Sequence, residues 1–464
     1  MSEEPPPPED KSEPKKPKEP KRIKVRISLF FDGTGNNRYN TDHRVLVEKP
    51  VESLTAEERA KLPTSQRVMK EKAKDTSSSY YNDYSNVARL EKYADSDAAP
   101  GYEVYIKVYT DGIGTADSEK DSPYGNIAGK GDTGVERKVE IGLSRAVSGL
   151  SRKLMQLKAE HVTIEKLSVD TFGFSRGATA ARNCVHKVLH SQEQPFPWPP
   201  KPALKERLKR LGMDVEKVEV RAVGVYDTVS AMGIAYIDIS DVPTLHLDCI
   251  REANAVLHLA AAEEYRRCFS LTNIDSAKSA GVGVEIFLPG AHSDVGGGYR
   301  ETASEEQIIC SGQPCESISE YLVENGWYSD RELLHRRHNM GRNQLETVSV
   351  RRTGISNEYS FIPLRIMAEF TREQELTVKS KLETEFDPIN LPGAVRGKLE
   401  SYAQSKRGSG ESKASDWQTN EPELRSLRHD FLHFSSRDEL GFHLRTMNAG
   451  TRFVERPTRK VFSG

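Results

Sequence analysis

Apolar and polar residues begin to alternate at Ile23, where Ile23, Val25, Ile27 and Leu29 lead into a continuously apolar end at Phe30 and Phe31. A period of two predicts a strand, and the apolar end predicts burial on both of its faces. A second strand is predicted over Tyr102–Tyr109. An amphipathic helix over Val135–Leu157 follows, with apolar residues at Ile141, Leu143, Ala146, Leu150 and Leu154. Next come a strand through Leu167 and Val169 to Phe172, a helix after Ser175, a strand at Val218–Val225, a helix near Asp248–Phe269 and a strand at Val282–Leu288. This rhythm of helices and nearly continuous apolar strands predicts an α/β fold: a mostly parallel sheet with helices on both faces.

The rhythm does not cover the whole chain. Residues 1–22 hold seven prolines with Lys and Glu and nothing apolar to bury, so a disordered tail is predicted there. Residues 23–301 carry the α/β pattern, interrupted by polar or glycine-rich insertions at 41–86, 112–134 and 194–203. The last of these contains Phe196 and Trp198 set among prolines. It reads as a rigid connection between helices, with a lipid-facing lip beside the site as the alternative. Residues 302–464 are polar and mixed, predicted as a mainly helical cap or second domain.

Composition narrows the function classes. A net charge of −2 leaves no electrostatic footprint for nucleic acid. No apolar run approaches the roughly 18–20 residues that span a bilayer. The N-terminus lacks the apolar core of a secretory signal, so export, if it occurs, is expected by another route. Five cysteines form no disulfide framework; Cys310 and Cys315, with four residues between them, are expected to be free thiols rather than a bridge or metal ligands. No metal or cofactor is expected.

The chemistry collects where strands end. Gly173-Phe174-Ser175-Arg176-Gly177 places a serine between a strand and a helix, flanked by glycines where a Cβ would strike backbone. Polar turns also follow the other predicted strands: Asp32-Gly33-Thr34-Gly35, Asp111-Gly112, Asp227-Thr228 and His292-Ser293-Asp294. In open α/β sheets ligands collect at that rim. The chain order Ser175, Asp227, His292 is that of an α/β-hydrolase triad: nucleophile, acid and base. For Asp227 the competing role is a helix N-cap. Asp294 is the runner-up acid. The amide of Arg176, with that of Gly33 or Thr34, is predicted to form the oxyanion hole. Asp32 would orient that loop or bind a cation. Asp32-Gly33-Thr34 also matches half of the phosphatase motif D-x-D-G-T, but Phe30 stands where its nucleophilic aspartate would be. Histidines near Arg428-His429-Asp430-Phe431-Leu432-His433 are alternative bases, expected instead in a cap or substrate wall.

Four blocks then point to a family: Phe30–Asn36, Gly173–Ala178, Val225–Val229 and Pro289–Tyr299, with a weaker echo at Glu263–Phe269. Together they resemble the type VI secretion lipase effectors of the G-x-S-x-G class. That resemblance spans residues 23–300 and implies a phospholipase cleaving acyl esters of membrane phospholipids with Ser175, Asp227 and His292. It implies a toxin made in the cytoplasm and acting in the periplasm of a rival cell, carried by a secretion spike protein and blocked by a cognate immunity protein. Peripheral membrane contact follows from such a substrate. The readings held against it are a soluble esterase or acyltransferase and a non-catalytic hydrolase-fold binding module.

Overall fold

A computed structural model describes residues 21–62, 74, 78–95, 99–115, 134–156, 162–191, 201–230, 240–312, 315–340, 343–408, 411–439, 442–448 and 455–464. The expected tail over 1–22 therefore lies outside the described residues up to position 20, as do most of the 112–134 insertion and the Phe196–Trp198 stretch.

The first strands among the described residues are, in chain order, β1 Lys21–Phe31, β2 Val104–Thr110, β3 Val162–Phe174, β4 Asp214–Tyr226, β5 Ala255–Ala261, β6 Leu271–Thr272, β7 Gly283–Leu288, β8 Thr302–Ser311, β9 Leu333–Met340 and β10 Asn343–Ser356. Six of them form one sheet in the order β2-β1-β3-β4-β5-β7. Every neighbouring pair in it is parallel. Parallel strands need crossovers, and helices supply them on both faces. Alternation along β1 sorts its side chains: Ile23, Val25, Ile27, Leu29 and Phe31 enter one core, shared with the helices Val135–Gln156 and Arg176–Leu189. Phe30 enters the other, shared with the helices Asn86–Tyr93 and Phe361–Glu373. Each such side chain contributes about 1.5–3 kcal/mol on burial.

The second face also buries charge. Arg26 donates to both oxygens of Asp170, at 2.7 and 3.0 Å, and to the carbonyls of Gln374 and Glu375. Both partners are buried. Such a pair adds little net stability but leaves a costly lone charge if either partner is removed. It ties the end of the helix Phe361–Glu373 to the sheet.

Three local predictions are corrected. The stretch Asp248–Phe269 is not a helix: a 3-10 turn, Leu247–Glu252, leads into β5. Its run Val256-Leu257-His258-Leu259-Ala260-Ala261 is apolar on both faces but for the buried His258, and periodicity alone cannot separate that from a helix. Within residues 302–356 the described strands β8, β10 and β9 form an antiparallel sheet, with the helix Glu316–Glu324 between β8 and β9, so this part is not mainly helical. The inward positions of β8 include Glu305, which is buried against Arg352 and Tyr328, so the apolar period is broken by a satisfied charge. Cys310 and Cys315 are disulfide-bonded, not free, their Cα atoms lying 6.0 Å apart, within bridging range. Ile309, Trp327, Leu432 and Phe434 join the second-face core, so this later part of the chain packs directly on the sheet.

Candidate active site

The turn after β3 is built as the glycines require. Ser175 adopts φ 60°, ψ −127°, a strained conformation for a residue with a Cβ. It is held there by backbone: its N–H donates to Tyr226 O at 3.0 Å, and its carbonyl accepts from Ala178 N at 3.0 Å and Val229 N at 3.3 Å. A Cβ on Gly173 would lie 2.3 Å from Gly177 O, and one on Gly177 would lie 2.2 Å from Asp32 O. Neither position admits a side chain. The serine stands at the N-terminus of the helix Arg176–Leu189, where backbone dipoles favour negative charge.

Asp227 follows β4 and is fully buried. Its Oδ2 lies 2.5 Å from His292 Nδ1. Its Oδ1 accepts from Ala261 N at 2.8 Å. Arg459, from the last residues of the chain, donates to both oxygens, at 2.7 and 2.8 Å. These partners are not the amides of a following helix turn, so the carboxylate does not act as an N-cap. Burial opposes its ionisation, but the Arg459 charge and the His292 hydrogen bond outweigh it and hold Asp227 well below the usual carboxylate range.

His292 follows β7, starts the short helix His292–Gly296 and is also buried. Its ring packs on Phe174, the residue before Ser175, at 4.5 Å between centroids, and meets the edge of Phe269 at 5.0 Å. The His292 backbone N–H donates to Glu264 Oε2 at 3.1 Å. Burial lowers the imidazole below the ordinary histidine value, only partly countered by Asp227. A neutral ring is what a general base needs.

The loop after β1 packs beneath the same turn: a Cβ on Gly33 would strike Phe174 Cδ1 at 2.5 Å. Asp32 organises this loop. Its oxygens accept from Gly33 N at 2.7 Å and Tyr109 Oη at 2.5 Å, and burial raises its carboxyl above the usual range. The Gly33 amide is thereby engaged by Asp32. Thr34 Oγ1 is buried and has no hydrogen-bond partner among the described residues.

Asp294 is paired with a different histidine. Its Oδ1 lies 2.8 Å from His433 Nδ1, while Oδ2 accepts from His433 N at 3.0 Å and Ala291 N at 2.8 Å. His433 is buried, stacked on Tyr299 at 3.6 Å, and its Nε2 has no hydrogen-bond partner among the described residues. His429 lies apart, half-exposed against Glu332 and Asp430. Arg459 was missed in the sequence, where it stands in no motif. Glu264, Arg266 and Phe269 were signalled by the Glu263–Phe269 stretch. Arg266 lies 3.4 Å from the Phe269 ring centroid and pairs with Glu264 at 2.7 Å. Burial of Glu264 is outweighed by that guanidinium, which holds its carboxyl near 2.

Residues 190–320 match the family model described as the type VI secretion phospholipase effector Tle1-like catalytic domain. The matched stretch contains Asp227 and His292 and begins after the serine turn, and the resemblance expected from the sequence is borne out there. Among solved structures, the chain is similar to the Tle1 effector bound to the VgrG spike from the type 6 secretion system. The identity is 22%, the TM-score 0.60, and the alignment covers 96% of this chain and 94% of that one. That likeness establishes the fold, an α/β-hydrolase-like one. An uncharacterized protein from Pseudomonas aeruginosa is 16% identical with a TM-score of 0.41, over 88% of this chain and 53% of the other. No curated protein matches.

Proposed function

We propose that this chain is a serine phospholipase delivered by type VI secretion, hydrolysing acyl esters of membrane phospholipids through Ser175, His292 and Asp227. The observation that carries this reading is the 2.5 Å His292–Asp227 pair seated against the strained serine turn. His292 Nε2 takes the Ser175 proton as Oγ bonds to the ester carbonyl carbon. The carbonyl oxygen becomes an oxyanion, stabilised by the Arg176 amide at the helix N-terminus and by Thr34. The tetrahedral adduct collapses, the carbon–oxygen bond to the glycerol breaks, and the imidazolium protonates the departing alkoxide. A lysophospholipid leaves and Ser175 carries the acyl group. Water, deprotonated by His292, then releases the fatty acid. Asp227 fixes the tautomer with Nδ1 protonated and stabilises the imidazolium.

Arg459 is a positioning residue in this scheme. Its two hydrogen bonds hold the carboxylate, and its charge tempers the pull of Asp227 on the His292 proton. The Tle1 relative is bound to a VgrG spike, and we extend that docking to this chain, with a cognate immunity protein as second partner. Action from the target-cell periplasm and peripheral contact with lipid belong to the same proposal. Two residue ranges follow from it as units: a catalytic domain over 23–301 and a cap over 302–464.

The deciding test is fatty-acid release from phosphatidylethanolamine and phosphatidylglycerol vesicles. Wild type is expected to release it and Ser175→Ala to release none, with unchanged circular dichroism. Full activity in the variant would refute the assignment. Product analysis on a phospholipid with different sn-1 and sn-2 chains identifies the bond that is cut. Co-purification with the cell's own spike protein tests the delivery partner.

A further inference from the structure

The far end of the serine-bearing helix carries a second constellation that the reaction does not use. His186 lies in the last turn of Arg176–Leu189, and His190 caps it, one turn further on. Two histidines spaced i, i+4 share one helix face, the spacing of a helical metal-ligand pair. Cys249, in the 3-10 turn Leu247–Glu252, comes up against them. One donor atom from each of His186, His190 and Cys249 lies within 4.8 Å of the other two. Cys249 Sγ is 3.5 Å from His186 Nδ1.

We propose that His186, His190 and Cys249 form a binding site for a divalent transition metal, zinc foremost. Around a tetrahedral zinc, with Zn–N of about 2.0–2.1 Å and Zn–S of about 2.3 Å, neighbouring donors lie about 3.5 Å apart. The Cys249–His186 separation is that distance already. Two imidazoles and a thiolate are a borderline-soft set, which suits zinc rather than magnesium or calcium. A carboxylate stands beside them: both oxygens of Glu252 lie 3.0 Å from His190 Nε2. Metal-bound histidines are commonly steadied by such a group. A third ring, His246, stacks on His186 at 4.0 Å, from a left-handed backbone at φ 50°. Such a conformation is uncommon for a residue with a Cβ and persists only where its surroundings hold it.

A hydrogen bond between thiol and imidazole would account for the 3.5 Å contact alone. It would not account for a His190 donor atom lying within 4.8 Å of donors from both. His186 and His190 keep partial exposure, so an ion can enter. The thiol loses its proton to solvent as the metal binds. The metal would clasp the helix that begins at Ser175 to the turn feeding β5, whose Ala261 amide holds Asp227. The set is invisible to motif reading, because Cys249 lies 63 positions from His186.

The test uses the full chain, dialysed against EDTA and titrated with zinc alone under reducing conditions. One zinc per chain at sub-micromolar affinity is expected, with a rise in melting temperature. Cobalt in its place should give a thiolate-to-cobalt charge-transfer band that Cys249→Ser abolishes. His186→Ala and His190→Ala should each weaken zinc binding more than about 100-fold, beyond the roughly 10–100-fold typical of an outer-sphere partner. His335→Ala, at an exposed position outside the cluster, should leave affinity unchanged. Circular dichroism and melting of the metal-free variants check folding, and the two histidine variants carry the test if Cys249→Ser does not fold. Sub-stoichiometric zinc, no charge-transfer band, or equal affinity in the histidine variants would each overturn the site.

Discussion

Among the described residues are two buried histidine–aspartate pairs, a few residues apart in sequence on one side. In the first, His292 Nδ1 meets Asp227 at 2.5 Å. In the second, His433 Nδ1 meets Asp294 at 2.8 Å. Both histidines are about equally buried, so neither burial nor the hydrogen bond distinguishes them. The surroundings do. The first pair stands at the ends of β4 and β7, its ring on Phe174 beside the serine, and its acid is shared with Arg459. The second fastens the 433 region to the turn after β7: Asp294 accepts the His433 and Ala291 amides, and the ring lies flat on Tyr299. A dyad becomes a base by its position relative to a nucleophile, not by its own geometry.

Breaking the two pairs separately gives the sharpest contrast. His292→Ala is expected to lower kcat for phospholipid hydrolysis by about 10,000-fold or more, the scale for losing a triad member. His433→Ala should stay within about tenfold of wild type and instead lose about 2 kcal/mol of stability in a denaturant titration. Equal losses of activity would erase the distinction. The acids should follow suit: Asp227→Asn lowers kcat by about 1,000–10,000-fold through the wrong tautomer. Asp294→Asn costs mainly stability, about 1–3 kcal/mol, through its amide and imidazole partners.

Arg459→Gln sharpens the role of the third partner. With the cation gone, Asp227 acts on the imidazolium unopposed, so the acid limb of the kcat/KM profile should move to higher pH while kcat falls about tenfold. Stability should drop by about 3 kcal/mol, as for one half of a buried ion pair. A loss of stability without movement of the pH limb would make Arg459 merely structural. The smallest effect concerns wild type. Because burial lowers His292, the acid limb should have its midpoint below the ordinary value of about 6.5. The sign for stability follows from linkage: both His292 and Asp227 bind fewer protons folded than unfolded. Their contribution is present above the unfolded values and lost as pH falls, first below about 6.5 for His292 and then below about 3.9 for Asp227.

Much of the sheet and of the site could be read from residues in order, because the forces that set them are local. The alternation from Ile23 to Leu29 marks β1, since each side chain must face one of two cores. Gly173 and Gly177 mark the serine turn, since a Cβ at either would strike backbone. The polar turns after apolar strands mark the rim where Asp227 and His292 meet. Local order misled where a residue was satisfied from far away. Glu305 disguised β8 because Arg352 neutralises it across the sheet. Val256–Ala261 passed for a helix because burial on both faces removes the period of two. Cys310 and Cys315 bridge because the fold sets their Cα atoms 6.0 Å apart.

Tertiary structure alone decided which histidine pairs with which aspartate. His433 and Asp294 lie 139 positions apart, Arg459 and Asp227 lie 232 apart, and no pattern along the chain links either pair. Side-chain type and spacing determine what a segment can become, through sterics and the removal of apolar surface from water. Which charges meet in the interior depends on how the layers stack, and there an unpaired ion costs more than the chain can spare.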